Sequence, residues 1–114
     1  MWNEKITDHG PWGKWELFAA NEKSTVKLLH IEKGKRLSYQ YHKLRSEHWY
    51  VVHGSALVTI DEKDLRLNEG GEIAIPIGTK HRAAGLTDVI ILEVARGTWD
   101  ENDIVRLKDD FNRK

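Results

Sequence analysis

The feature that most restricts this chain is a repeated rhythm of short apolar runs, rich in Val, Ile, Leu, Trp and Tyr, closed by Gly, Asn, Asp or Pro. The runs fall at 14–19, 25–31, 37–41, 47–52, 55–60, 63–67, 72–75, 81–84 and 89–96, and between them sit turn signals such as EKGK, HGS, DEKD, NEGG, PIGTK and GLTD. Runs of this length, bounded in this way, read as β-strands. No stretch between Met1 and Gly97 holds a helical period. Nine predicted strands at such spacing describe an all-β barrel or sandwich rather than a parallel α/β fold.

After Gly97 the character changes. The segment TWDENDIVRLKDDFNRK is polar, with acids early and cations late. It reads as a short helix or turn, or equally as a solvated tail. A chain of 114 residues has room for one domain and its core, so residues 1–114 are expected to form a single domain. The 18 basic residues balance the 18 acidic ones, which removes the electrostatic case for nucleic acid or an anionic membrane. There is no cysteine, so any metal must be held by His, carboxylate or amide oxygen. No apolar run approaches the roughly 20 residues that span a bilayer, and the N-terminus lacks a signal peptide's apolar centre, so the expected location is cytoplasmic.

Coordinating groups crowd into LSYQYHKLRSEHW, residues 37–49. In a strand, residues two apart share a face. Ser38, Gln40 and His42 then point one way, while Leu37, Tyr39 and Tyr41 point the other. Glu47, Trp49 and Val51 share a face of the next strand, so Glu47 can join Gln40 and His42 if both faces turn inward. His81 follows the turn PIG, where Pro76 fixes φ and Gly78 allows a conformation a Cβ obstructs, which can aim His81 back into the barrel.

Two segments carry a resemblance. Gly34, Gln40-Tyr-His42, Glu47 and Gly54 stand at the spacing of the first cupin motif, with Gln40 where the general pattern has His. Gly70, Pro76-Ile-Gly78 and His81 resemble the second, which ends at Gly85 where Asn is usual. RLSYQYHKLRSEHWYVVHG is similar to the LSLQ-x-H-x-x-R-x-EHW segment of type II mannose-6-phosphate isomerases, in which Gln replaces that first His. GPWGKWE and ENDIVRLKDDFNR resemble the PWG segment and the DDIVR ending of the same group, so the likeness runs from about Pro11 to Arg113. It implies a small cupin, a jelly-roll barrel with a short polar C-terminal segment. Many members carry this domain behind a nucleotidyltransferase; that reaction is not expected of the 114 residues here.

The resemblance implies one divalent ion held by Gln40, His42, Glu47 and His81. An oxygen and nitrogen set of this kind suits Zn first, with Mn, Fe, Co or Ni as alternatives. The implied reaction interconverts mannose 6-phosphate and fructose 6-phosphate through an enediol, which needs a base for the proton between C1 and C2. His48 and Glu93 are the candidates. His48 faces away from Glu47 in a regular strand and reads as outward; Glu93 either lines the pocket with Val89, Ile91 and Ala95 or is exposed. For the phosphate, Arg45 and Arg106 match subfamily positions, with Arg36 and Arg82 also available, and Ser38 can contact substrate. His9, His30 and His53 read as structural or solvent-facing. The five tryptophans, Trp2 among them, suggest packing: Trp49 in the core, and PWGKW across a homodimer. Two other functions fit the same ligands, a different metal-dependent cupin enzyme (another sugar isomerase, an epimerase or a dioxygenase) and a sugar-binding cupin without turnover.

Overall fold

The computed structural model describes residues 6–113; Trp2 lies outside them. The strands are β1 (Ile6–Gly10), β2 (Gly13–Leu17), β3 (Ser24–Ile31), β4 (Tyr39–Tyr41), β5 (Arg45–His53), β6 (Ala56–Ile60), β7 (Lys63–Leu67), β8 (Glu72–Ile75), β9 (His81–Gly85), β10 (Val89–Gly97) and β11 (Val105–Lys108), with no helix among the described residues. All nine predicted strands are present, as β2 to β10. No helix of the described residues is long and apolar enough to cross a membrane.

Two antiparallel sheets form a sandwich, one ordered β3-β10-β5-β8 and the other β11-β4-β9-β6-β7. Their inner faces meet in a core of Ile31, Trp49, Val51, Ala56, Val58, Leu67, Ile75, Ala83, Val89 and Ile91. Residues from both sheets enter one cluster because each strand alternates: on β10 Val89, Ile91, Glu93 and Ala95 are buried while the residues between them are half-exposed. Each fully buried Val or Ile of this kind contributes about 1.5–3 kcal/mol. The β5–β6 turn depends on Gly54, whose φ is 80° and whose site leaves a Cβ 2.2 Å from the Asp88 carbonyl.

Two elements differ from the sequence reading. β1 pairs with β2 as a separate hairpin, with Ile6 opposite Leu17. The C-terminal segment is neither helix nor free tail, since β11 adds to the outer edge of β4 with Arg106 opposite Gln40. The physical reason is main-chain pairing. β4 is three residues long, and an edge that short gains most of its ladder from a neighbour whatever side chains that neighbour carries. The end of the segment is tied down by a bidentate Arg36–Asp110 pair at 2.7 and 2.9 Å.

Candidate metal centre

His42 lies one residue past β4, Glu47 projects inward from β5, and His81 opens β9. One ligand atom from each lies within 4.8 Å of the others. All three side chains are buried, His81 completely. His42 Nε2 is 3.4 Å from one Glu47 oxygen, and His81 Nε2 is 3.6 Å from the other. The opposite ring nitrogens meet main-chain carbonyls, Nδ1 of His42 at 2.6 Å from the Asp103 oxygen and Nδ1 of His81 at 2.8 Å from the Thr79 oxygen. A carbonyl only accepts, so each Nδ1 carries the proton and each Nε2 turns a lone pair toward Glu47. The turn before β9 holds this geometry: Gly78, at φ 80°, donates its N–H to the His42 carbonyl at 2.9 Å, and Thr79 donates to Pro76 O at 3.1 Å.

Electrostatics keep the three groups in the protonation states that ligands require. Burial lowers the pKa of both imidazoles, more than Glu47 raises it, so they stay neutral. Burial pushes Glu47 up, opposed by whatever charge the imidazoles carry and by the hydrogen bond and charge of Arg45, and its carboxyl sits below the usual range. The direct contact is from Arg45 Nε, which donates to Glu47 at 2.9 Å. Trp49 Nε1 donates to Glu47 at 3.1 Å and lies 3.3 Å from Glu93, linking the two buried carboxyls. Glu93 differs from Glu47: burial, with the neighbouring Glu47 charge, pushes it up to about 7, against the pull of Lys27 at 3.4 Å.

His42, Arg45, Glu47 and Glu93 face a cavity of about 390 Å³, and His81, fully buried, lies behind its lining against Glu47. Of the residues named from sequence, Ser38, Gln40, His42, Arg45, Glu47, Glu93 and Arg106 line it. Ser38 donates to Gln40 Oε1 at 3.1 Å, and the Gln40 backbone pairs with His81. His48 takes the outward side that strand alternation implies, which removes it from the candidate bases, and the expected place of Arg45 changes. His48 projects from the opposite side of β5, 3.3 Å from Glu72 and against the Phe18 ring, in a separate apolar cavity with Tyr50, Leu92 and Val94; the strand's own alternation separates it from Glu47. Arg45 reaches the cavity, but its guanidinium is bound to Glu47 and to the Asp100 carbonyl at 3.3 Å. Arg36 and Arg82 lie on the outer face of the other sheet with Tyr39 and Lys108. Leu37 turns toward the cavity, because β4 starts only at Tyr39 and the alternation does not extend back to it.

Several wall residues had no sequence signal strong enough to single them out. Lys27 comes from β3, and Trp99, Glu101, Ile104 and Arg113 come from the segment after β10. Trp99 sits beneath two cations, Lys27 at 5.6 Å and Arg45 at 5.5 Å from its ring centre. A hint for Lys27 existed: Thr25, Lys27, Leu29 and Ile31 alternate, but the intervening Val26 and Leu28 are equally apolar, so the strand's inward face was ambiguous.

The donor set fits a divalent ion. Two neutral imidazoles, a carboxylate and a nearby amide match the oxygen and nitrogen preferences of zinc and its neighbours, with both imidazoles fixed from behind. The buried His81 Nε2 has no hydrogen-bond partner among the described residues, an arrangement that costs free energy unless another group takes the lone pair.

Known proteins resemble this chain in sequence and in fold. The sequence model of the family described as "Mannose-6-phosphate isomerase C-terminal" matches residues 2–109. The alginate biosynthesis protein AlgA of Pseudomonas aeruginosa is 41% identical over 106 residues, covering 90% of this chain and 22% of that protein. The mannose-1-phosphate guanylyltransferase ManC of Salmonella typhimurium is 39% identical over 106 residues, with the same coverage. The chain thus spans about a fifth of the length of these relatives. Among solved structures, the 3'-monoepimerase ChmJ of Streptomyces bikiniensis, in complex with dTDP-quinovose, superposes with a TM-score of 0.70 over 92% of this chain and 67% of its own. At 9% identity that likeness is one of fold. The 108-residue span from 2 to 109, matched in order through both ligand-bearing segments, makes this chain a member of the mannose-6-phosphate isomerase C-terminal family.

Proposed function

We propose that the protein is a metal-dependent isomerase interconverting mannose 6-phosphate and fructose 6-phosphate. The observation that carries this reading is the convergence of His42, Glu47 and His81 within 4.8 Å beside a cavity that also holds a buried carboxyl and several cations. A divalent ion, zinc first, would be held by His42, Glu47, His81 and the Gln40 amide oxygen, and would supply Lewis acidity toward a substrate oxygen.

The chain's own groups account for the rest. Glu93 is the buried cavity carboxyl that the ligand set does not use, so it is the group to move the proton. It takes the C2 proton and returns it to C1 while the hydroxyl proton passes from O2 to O1, so the sugar gains and loses nothing. Acid–base work of this kind is worth about 10²–10⁴-fold. Arg106, with Arg113 beside it on the wall, suits the phosphate, since guanidinium groups bind phosphate through paired charge-assisted hydrogen bonds. Ser38 orients Gln40 and offers a hydroxyl to substrate. A cytoplasmic location, where sugar phosphates are made, belongs to the same reading.

A homodimer is also part of the proposal. Val26 and Leu28 on β3, and Trp12 and Trp15 on the hairpin, are exposed apolar surface of a kind that a second copy covers. Light scattering on the purified protein decides it, and a monomer at working concentration rejects it.

The reaction is tested by incubating the protein with mannose 6-phosphate and following fructose 6-phosphate by NMR. Conversion is expected to stop with a chelator and to return with added metal. Metal-loaded protein that binds the sugar phosphate and does not convert it is a binding module instead.

A further inference from the structure

The two imidazoles of the centre are oriented in unlike ways. The acceptor for His81 Nδ1 is Thr79, two residues back along the same turn, so entry into β9 sets that ring by itself. The acceptor for His42 Nδ1 is Asp103, 61 residues away, on the segment between β10 and β11. His42 is therefore correctly oriented only while that remote segment is docked.

Asp103 also docks the segment. Its two carboxylate oxygens accept the N–H groups of Lys43 and Leu44, each at 2.9 Å, the two residues that follow His42. Partial burial raises the Asp103 pKa, but these two amides more than offset it and hold the carboxyl below its ordinary range. The side chain grips the turn after His42 while the main-chain oxygen of the same residue grips the ring. Thr98 N–H to Leu44 O at 3.1 Å also ties the segment, as does Arg45, which donates to Asp100 O at 3.3 Å and whose Nη2 lies 3.4 Å from His42 Nε2, on the side of the ring away from Asp103.

We propose that Asp103 is a positioning residue for His42: its carboxylate clamps the 43–44 turn so that its own carbonyl selects the Nδ1–H tautomer and frees Nε2 for a metal ion. The proposal rests on the reading of His42 as a ligand. Without the clamp, the alternative tautomer has a ready partner, because Nε2–H can donate to the Glu47 oxygen 3.4 Å away. That bond occupies both ligand atoms with each other. The clamp therefore acts on metal affinity through tautomer choice, not through charge near the ion.

The test uses the full chain, metal-free and ¹⁵N-labelled, with the His42 tautomer read from long-range ¹H–¹⁵N NMR spectra and zinc affinity from competition with a chromophoric chelator. Wild type is expected to show Nδ1–H. Asp103→Ala is expected to shift His42 toward Nε2–H and to weaken zinc binding by roughly 10–100-fold, the range for lost outer partners of a ligating His. Asp103→Asn keeps one of the two amide bonds and should fall between. Asp110→Ala releases the same segment at its Arg36 tie and should leave tautomer and affinity as in wild type. An Asp103→Ala protein with wild-type tautomer and affinity overturns the proposal, as does an equal loss in Asp110→Ala. Should the alanine variant lose its native circular dichroism, Asp103→Asn carries the same two readouts. Wild type that binds no zinc rejects the metal reading instead, and the tautomer comparison still decides the role of Asp103.

Discussion

The inner and outer faces of the sandwich carry the same kinds of side chain in opposite circumstances. His81 from one sheet and Glu47 from the other face inward, fully buried, and His48 and Glu72 form a comparable pair on the outer side of the sheet that carries Glu47, partly open to solvent. Arg45–Glu47 inside and Arg36–Asp110 outside are both close guanidinium–carboxylate contacts, at 2.9 and 2.7 Å, but the inner pair is 6% and 2% exposed and the outer pair 47% and 43%. Chemistry is carried by the surroundings of a group more than by its type. Inside, low dielectric and exclusion of water hold charges and lone pairs in one arrangement.

The largest contrast is expected between the two histidines. His81→Ala should lose bound metal and turnover, and His48→Ala should keep both within about twofold, as surface changes away from a site usually do. Metal per chain by mass spectrometry and turnover of mannose 6-phosphate measure both. Full occupancy in His81→Ala breaks the ligand assignment, and loss of activity in folded His48→Ala returns His48 to the list of proton carriers.

The carboxylates give the next contrast, in stability. Glu47→Gln leaves the buried Arg45 without its charge partner, and breaking such a pair costs about 3–5 kcal/mol. Urea unfolding in the presence of chelator isolates this from metal binding. A loss below about 1 kcal/mol shows that water or the Asp100 carbonyl satisfies Arg45 well enough alone.

Much of this inner and outer division was legible in the residues, for a physical reason. A period of two assigns faces without knowledge of the partner strand, so Gln40 and His42 could be grouped with Glu47, and His48 separated from it. It also put Glu93 in phase with Val89 and Ile91. What the period cannot carry is pairing between distant segments. β11 is polar and short, and it is a strand only because β4 leaves an edge to complete. Asp103, Trp99 and Arg113 reach the site through that pairing and its loop, so nothing local in WDENDIVRLKDDFNR marks their destination. The partner of the Arg45 guanidinium is hidden for a related reason: the sequence motif shows its position and not its bond to Glu47 two residues on.

The cations show the same division at smaller amplitude. Arg106 lines the cavity and Arg82 the outer face. Arg106→Ala should raise KM for mannose 6-phosphate about tenfold relative to that for mannose, the effect of losing a charge-assisted hydrogen bond of about 1.5–3 kcal/mol reduced by neighbouring cations. Arg82→Ala should leave the ratio of the two KM values unchanged. Equal rises for both sugars in Arg106→Ala remove the phosphate from its role.

The smallest effect belongs to the outer ion pair, and its sign is fixed by the acid. The Arg36 hydrogen bond, opposed by a weaker desolvation, holds the Asp110 carboxyl below its ordinary value of 3.8. A depressed folded pKa means the unfolded chain binds the proton more readily, so the pair's stabilisation is present above about pH 4 and disappears as pH falls through the lower folded value. Asp110→Asn should thus differ from wild type slightly at pH 7 and not at all in strong acid, and the difference at pH 7 should shrink in 1 M salt because both groups are open to solvent. Thermal unfolding at two pH values and two salt concentrations measures it. A salt-insensitive difference as large as that of Glu47→Gln means the outer pair is covered in solution, and the surface to look for is the one that brings a second chain over Arg36.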